Sequence, residues 1–407
     1  MCGILAIRGI SYEEQKNFIE TLLSKRGPDG LTYYFSSHLD SAPVIMIASR
    51  LALVGTDEFP LKAETGELLI ANGEIYNYKE LYHSHLNKNP LPSTNDLTFI
   101  VDYYSEEKNK KKNPNNIFQD ILHLIKADYA LLIYDPTNDD LFIARDTFGI
   151  RPLWYYWDSS LKFGFASEKK LLESLGINDN SIVQVPPNSW TKISLKKSIH
   201  LSQISWHSIY PSLHQLIPPH RQSKSDLGNL ESCIKATLFN LIESIKTTLG
   251  NIPGSNAKVG VFFSGGLDSS VLLLLASQLY NKIIPITVGT ENSSDYQFVN
   301  DYLAIYQNFN PISVLITEEL VRTTLPTILS RLSSPTPLDV SIALPIYLLS
   351  RQASAAGIKV CLTGQGADEL FAGYHRYIEL KRKDASPNSL SLILWDDLRN
   401  VAKRNIE

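Results

Sequence analysis

Seven consecutive residues, Ser264-Gly265-Gly266-Leu267-Asp268-Ser269-Ser270, combine small, hydroxyl and acidic types in a spacing that could hold phosphate. They follow the apolar run Lys258–Phe263 and precede Val271–Ala276. The first flank reads as a buried strand and the second as the apolar opening of a helix. A chain that turns through two glycines into a helix leaves backbone N–H groups pointing outward. Together with the helix dipole they form an anion site, usually for phosphate. No Gly-Lys-Ser/Thr follows, so this is not the loop that grips β- and γ-phosphates in P-loop proteins. A lone Gly-Gly pair would be a turn and nothing more. Seven positions between a strand and a helix favour nucleotide binding.

The start of the chain offers a second chemistry. It reads Met1-Cys2-Gly3-Ile4, and removal of Met1 leaves a free amine on a cysteine. That amine, with a pKa of about 7.7–8.0, can act as base for its own thiol of pKa about 8.5, so no histidine partner is needed. Cysteine after methionine is weak evidence alone, but other segments add to it. Arg26-Gly27-Pro28-Asp29-Gly30 is a turn sequence after a helix-like run. Arg50 in Ser49-Arg50-Leu51-Ala52 carries a guanidinium fork suited to a carboxylate. Asn72 and Gly73, followed by Glu74, supply an amide N–H₂ and a backbone N–H, the two donors of an oxyanion hole. Asp96 in Thr94-Asn95-Asp96 places a carboxylate that could receive an α-amino group. Ala144–Leu153 ends a strand in a Gly/Pro turn.

Taken together, these segments resemble the glutamine-dependent asparagine synthetase family over nearly the whole chain. Ser-Gly-Gly-x-Asp-Ser/Thr is similar to the loop of ATP pyrophosphatases, which split ATP between its α- and β-phosphates to adenylate a carboxylate or base. The front half resembles class II glutamine amidotransferases. That resemblance implies a four-layer αββα N-terminal nucleophile domain in which Cys2 attacks the glutamine side-chain amide. Arg50 would hold the glutamine carboxylate, Glu74 and Asp96 its amino end, and Asn72 with Gly73 the oxyanion. The back half resembles the synthetase domain, an open parallel-sheet, adenine nucleotide hydrolase-like (Rossmann-like) fold. There ATP would adenylate aspartate or a related carboxylate, and ammonia would displace AMP. The implied ATP contacts are Phe262, Ser264, Gly265, Gly266, Asp268, Ser269, Ser270, Val288, Thr363 and Gly364. Asp268 and Asp368 would hold Mg2+ through hard oxygen ligands. A homodimer is compatible with the resemblance.

Three features depart from the family pattern. Gln365 stands where most members have a glutamate linked to aspartate activation, and an amide cannot exchange a proton in the same way. Leu338-Asp339-Val340-Ser341-Ile342-Ala343 has alanine where an arginine is frequent. The sequence ends at Arg404-Asn405-Ile406-Glu407, where members continue into segments that finish the synthetase pocket. It is in these respects most similar to the divergent asparagine synthetase domain-containing proteins, and reads as a fragment or a shortened relative. A glutaminase-only protein and a non-catalytic relative stay open beside the synthetase. A β-lactam-forming synthetase is a weaker fit, because those relatives have usually lost the nucleophile that Cys2 supplies.

The surrounding pattern must position these residues. Residues 1–200 alternate β-branched and aromatic positions in short strands, which suits stacked antiparallel sheets with helices outside. Ala130–Tyr134 and Leu141–Ala144 flank a hairpin signal at Asp135–Asp140. Residues 201–230 read as a linker. From 231 to 407, strands at Lys258–Phe263, Ile283–Val288, Ile312–Ile316 and Lys359–Leu362 alternate with helical patterns. This is the rhythm of an open parallel sheet whose ligands lie at the strands' C-terminal ends. The 407 residues suffice for two or three domains. With 38 basic against 42 acidic residues, no broad positive surface argues for nucleic acid. Three cysteines, Cys2, Cys233 and Cys361, form no disulfide framework, and no apolar run is long enough to span a bilayer. A reduced, cytoplasmic setting is expected. Lys108–Asn116 reads as a solvated loop between a helix and a strand. His200, His207 and His214 read as linker residues, since Pro211 interrupts any helix that would align them. Phe371–Tyr377 fits either a substrate wall or an aromatic helix face packed in a core.

Overall fold

The structure, a computed structural model, describes residues 2–36, 42–91, 94–196, 204–210, 230–252, 257–305, 309–332, 335–382 and 393. It divides into two compact units, the first running to Asn229 and the second starting at Leu230.

In the first unit the strands are β1 (Gly3–Arg8), β2 (Gly30–Phe35), β3 (Val44–Arg50), β4 (Leu61–Lys62), β5 (Leu68–Ile75), β6 (Ala127–Asp135), β7 (Asp140–Arg145), β8 (Trp154–Trp157), β9 (Phe163–Ala166), β10 (Val183–Gln184), β11 (Ser189–Ser194) and β12 (His207–Ser208). They form two antiparallel sheets, ordered β10-β8-β9-β1-β3-β2 and β12-β11-β7-β6-β5-β4. The helices are α1 (Lys16–Arg26), α2 (Tyr78–Leu86), α3 (Thr98–Asn109), α4 (Pro114–Leu124) and α5 (Lys169–Ser174). The period of two along β1 explains the layering. Ile4 and Ala6 join Met46, Leu69 and Leu132 in the core between the sheets. Leu5 and Ile7 face the other way, onto Ile19, Leu22 and Leu23 of α1 and Leu171 and Leu172 of α5. Behind the second sheet, Phe118 of α4 packs on Phe142 and Trp190, with ring centroids 5.1 and 5.8 Å away. The result is the four-layer αββα arrangement.

Two readings of this region change. The lysine-rich segment at 108–116 joins two helices, α3 and α4, and is ion-paired. Lys108 pairs with buried Glu67 and lies 3.6 Å from Asp135, while Lys112 pairs with Glu107 and Asp120. Glu67 and Asp135 come from distant parts of the chain and Asp120 from α4, so the lysine run alone does not reveal them. Part of the stretch read as a linker is also strand: His207 pairs with Trp190 as β12, and their rings lie 5.0 Å apart. His200, His214 and most of 201–230 lie outside the described residues, as do Arg404–Glu407.

The second unit contains α6 (Leu230–Leu249), β13 (Val259–Phe262), α7 (Leu267–Leu279), β14 (Ile283–Gly289), α8 (Ser294–Ile305), β15 (Ile312–Leu315), α9 (Glu318–Leu329), α10 (Pro337–Ala355), β16 (Val360–Leu362), α11 (Ala367–Phe371) and α12 (His375–Arg382). The four strands are parallel in the order β15-β14-β13-β16. The first three strands build outward from β13 and the fourth adds on its other side. The order therefore reverses between β13 and β16, the switch point where open α/β sheets leave a ligand crevice. The segments starting at Ser264 and at Thr363 both leave the sheet there, one after each strand. Within the aromatic stretch Tyr377 is buried and Phe371 exposed, so it is neither a continuous wall nor a continuous core face. The described residues contain no helix long and apolar enough to cross a membrane.

Candidate functional site

The first site forms where β1, β3 and β5 come together at one end. Gly3 pairs with Ser49, which sets Cys2 beside the end of β3 and Arg50. The Arg26–Gly30 turn lies flat on the same strand end. A Cβ on Gly27 would come within 2.4 Å of the Arg50 nitrogen, so only glycine fits there. Asp29 then accepts the Ala52 N–H at 2.8 Å and donates its own N–H to the Arg50 carbonyl at 2.9 Å. A small cavity at this point is lined by Cys2, Arg50, Gly73, Glu74 and Asp96, with Leu51, Phe59 and Asn95 among its other walls. Cys2 Sγ accepts the Leu51 N–H at 3.5 Å. Burial pushes the Cys2 thiol up, opposed by that N–H and by the positive charge of Arg151. Arg50 Nη2 donates to the carbonyls of Val54 (3.0 Å) and Gly55 (2.5 Å), which fixes the fork.

Asn72 is 1% exposed, and its Nδ2 has no hydrogen-bond partner among the described residues. A buried amide donor left unpaired costs about 1–3 kcal/mol, which makes it an unusual feature for a well-packed strand. The Gly73 N–H is oriented by register. Gly73 lies opposite Tyr129, whose carbonyl accepts the Asp146 N–H from the far side. In an antiparallel ladder the two amide groups of one residue point the same way. Gly73 and Tyr129 are therefore a non-hydrogen-bonded pair, and the Gly73 N–H points away from β6. It faces the same edge as the Ile75 N–H, which donates to Asp96 Oδ2 at 2.6 Å. Burial pushes Asp96 up to about 6, against the pull of the Ile75 and Leu97 N–H groups.

Several residues of this region escape sequence reading. Arg145, fully buried, donates to the carbonyls of Gly149 (2.6 Å), Arg151 (2.8 Å) and Val185 (2.8 Å). Asp146 accepts the N–H groups of Phe148, Ile150 and Arg151. The 144–153 segment is thus a buckle, and it sets Arg151 Nη2 3.6 Å from Asp128, which also accepts Tyr76 OH at 2.7 Å. Adjacent Arg-Asp ahead of a Gly/Pro turn is the only local signal for it.

The second site lies wholly in the second unit. Gly265 has φ +80, and a Cβ on it would come 3.0 Å from Phe298 Cβ. Ser264 N–H donates to Ser269 Oγ at 3.3 Å, and the Gly266 N–H to Ser264 Oγ at 3.3 Å. The loop is thereby closed on itself ahead of α7. Gly364, after β16, packs against Asp268: a Cβ there would lie 3.0 Å from Asp268 Cβ. The two loops touch, and Thr363 stands beside them at the end of β16. Phe262 ends β13, and Val288 lies near the end of the neighbouring strand β14. Burial, then the nearby charge of Asp368, pushes the Asp268 carboxyl up. Two carboxylates that repel each other suit a hard dication bound mainly through phosphate and water oxygens. Among the described residues no cluster of three or more acidic, histidine or cysteine side chains offers a site built by protein alone. Gln365 is exposed, its N–H donating to Thr363 Oγ1 at 3.3 Å.

A thiol pocket on stacked antiparallel sheets, followed by a glycine loop on a parallel sheet, defines a two-unit architecture that known families share. The family model described as glutamine amidotransferase domain matches residues 1–228, and that described as asparagine synthase matches residues 253–405. The chain belongs to the glutamine amidotransferase domain family, and its second unit matches the asparagine synthase family model. It is 32% identical over 362 residues to a putative asparagine synthetase (glutamine-hydrolyzing) 1 of Methanocaldococcus jannaschii, covering 88% of this chain and 63% of that protein. A probable asparagine synthetase (glutamine-hydrolyzing) of Acanthamoeba polyphaga mimivirus is 26% identical, with 96% of this chain and 69% of its own length covered. Asparagine synthetase (glutamine-hydrolyzing) 1 of Bacillus subtilis is 27% identical, with 97% and 62% covered. The chain thus spans between 62 and 69% of the length of these three relatives.

Proposed function

We propose that the first unit hydrolyses glutamine and the second uses the ammonia to amidate an ATP-activated carboxylate, with aspartate as the first acceptor to test. The observation that carries this reading is the buried Asn72 amide, without a partner among the described residues, directly before Gly73 on the strand that reaches the Cys2 cavity; Asn72 itself is not one of that cavity's lining residues. A donor held ready without a partner suits an oxyanion that exists only during reaction. In this mechanism the amine exposed by loss of Met1 takes the Cys2 thiol proton as sulfur attacks the glutamine amide carbon. The oxyanion forms against Asn72 Nδ2 and the Gly73 N–H. Its collapse breaks the C–N bond, and the amine returns the proton to the departing ammonia. Water then cleaves the thioester to glutamate. Arg50 holds the substrate carboxylate, and Glu74 and Asp96 hold its ammonium group.

In the second unit, Ser264–Ser270 and Thr363–Gly364 bind the triphosphate at the switch point, with the adenine against the end of β14. Magnesium, held by Asp268 and Asp368, would neutralise charge on the leaving pyrophosphate. The acceptor carboxylate attacks the α-phosphorus and expels pyrophosphate, and ammonia then displaces AMP. Cys2, Cys233 and Cys361 form no disulfide, which fits a reducing compartment such as the cytoplasm.

The test is pyrophosphate release from ATP with aspartate, measured alone, with glutamine and with ammonium, alongside glutamate release. Glutamate and pyrophosphate appearing together establish the coupled reaction. Glutamate without pyrophosphate leaves the glutaminase-only reading, which the exposed amide of Gln365 favours. Asp268→Asn should lower pyrophosphate release by about 10²-fold or more while glutamate release stays intact, because it removes one of two metal-binding carboxylates.

Asp96 sets a pH dependence for the first unit. Its carboxyl titrates near 6 in the free protein, and only the ionised form pairs with the glutamine ammonium. The value of kcat/KM for glutamine, which reports free-enzyme groups, should lose a further factor of about ten per pH unit below 6, added to the fall that protonation of the amino-terminal base brings at higher pH. Asp96→Asn should show a low kcat/KM that keeps the inflection of the amine and lacks the one near 6.

A further inference from the structure

Cys2 lies one residue outside the strand ladder, whose first pair is Gly3 with Ser49. The peptides that follow are anchored by hydroxyls: Gly3 N–H donates to Ser49 Oγ and Ile4 N–H to Ser167 Oγ, each at 3.0 Å. The backbone of Cys2 itself is held by Arg26, whose Nε donates to the Cys2 carbonyl at 3.1 Å. Arg26 Nη1 in turn donates to Glu168 Oε1 at 3.1 Å, and both side chains are largely buried, at 13% and 24% exposure. We propose that Arg26, braced by Glu168, is a positioning residue for the Cys2 nucleophile. This rests on the reading of Cys2 as the glutamine-attacking thiol.

A chain terminus frays unless it is tied down, and loss of Met1 makes Cys2 a terminus. Among the described residues its sulfur meets a single, long N–H contact, from Leu51, too weak to fix where the residue sits. Arg26 comes from the last turn of α1 and Glu168 from the residue before α5. The guanidinium therefore joins both helices packed on the first sheet to the reacting residue. A planar fork with donors at fixed angles can bond a carbonyl and a carboxylate at once, and a lysine ammonium cannot reproduce that geometry. Misplacing a reacting group by about 1 Å can cost about 10²-fold in rate.

The test uses the full chain with Arg26→Lys, Arg26→Gln and Glu168→Gln. Three quantities are compared with the wild type: kcat and KM for glutamate release, the thermal midpoint, and the iodoacetamide labelling rate of Cys2 relative to exposed Cys233. Arg26→Gln should lower kcat by about tenfold to a hundredfold with KM changed less than about threefold. Cys2 should meanwhile label about threefold faster or more, because a loosened terminus leaves its cavity. Arg26→Lys should restore only part of kcat, and Glu168→Gln should fall between. The proposal is overturned if kcat stays within about threefold, if the loss lies in KM alone, or if labelling slows in step with turnover. If even the wild type releases no glutamate, the functional reading fails, and the labelling rates still decide whether Arg26 holds Cys2.

Discussion

Replacing Cys2 by alanine removes glutamate release from glutamine, by about 10⁴-fold or more, while pyrophosphate release supported by added ammonium persists. The first half of that result follows from chemistry that no other group near the cavity can supply. The remaining lining residues are an arginine, two carboxylates, the amide Asn95, glycine and apolar side chains, and none is a nucleophile comparable to a thiol next to a free amine. The second half follows from the separation of the two sites into two compact units. Alanine at position 2 deletes one partly buried sulfur and leaves the Arg26, Ser49 and Ser167 ties to the backbone in place. Glutamate, pyrophosphate and thermal midpoint measured on one preparation decide it. Joint loss of both activities would mean that the second unit depends on Cys2 for more than nitrogen.

Asn72→Ala should lower kcat for glutamate release by about 10²- to 10³-fold, with KM nearly unchanged. The size is that of losing one oxyanion donor, and the pattern is that of an interaction made only in the transition state. The same substitution should not destabilise the fold, because the Asn72 Nδ2 it removes has no partner to lose among the described residues. Deleting an unsatisfied buried donor is neutral or stabilising once its cavity cost is small. Activity and thermal midpoint should therefore move independently, or in opposite directions. A midpoint drop of several degrees with kcat within about threefold would identify Asn72 as a strand residue with an ordinary packing role.

Much of this was readable from residue order, and the reasons differ by element. The four parallel strands are continuous β-branched and aliphatic runs bounded by turn residues, so their ends fall within a residue or so of the apolar pattern. The β6–β7 hairpin announces itself through Asp135-Pro136-Thr137-Asn138, and Asp135 Oδ1 indeed accepts the Thr137 N–H at 2.9 Å. Cys2, Arg50, Gly73, Glu74 and Asp96 reach one cavity because β1, β3 and the end of β5 are adjacent. What stayed hidden depends on long-range pairing. Arg26 and Glu168 are 142 positions apart, and nothing in either neighbourhood names the other. The unpaired state of the Asn72 amide and the direction of the Gly73 N–H are consequences of register, which a single strand's sequence does not contain. The ion pairs of Lys108 are hidden because Glu67, just ahead of β5, and Asp135, at the end of β6, are far from it in sequence.

The most direct measurement is acid-quench mass spectrometry of the protein turning over glutamine, followed by mapping of the amino-terminal peptide. The account predicts a chain lacking Met1 that carries one added glutamyl group on Cys2, with none in Cys2→Ala. Glutamate release proceeding with that peptide unmodified, or with the glutamyl group on another residue, would contradict it.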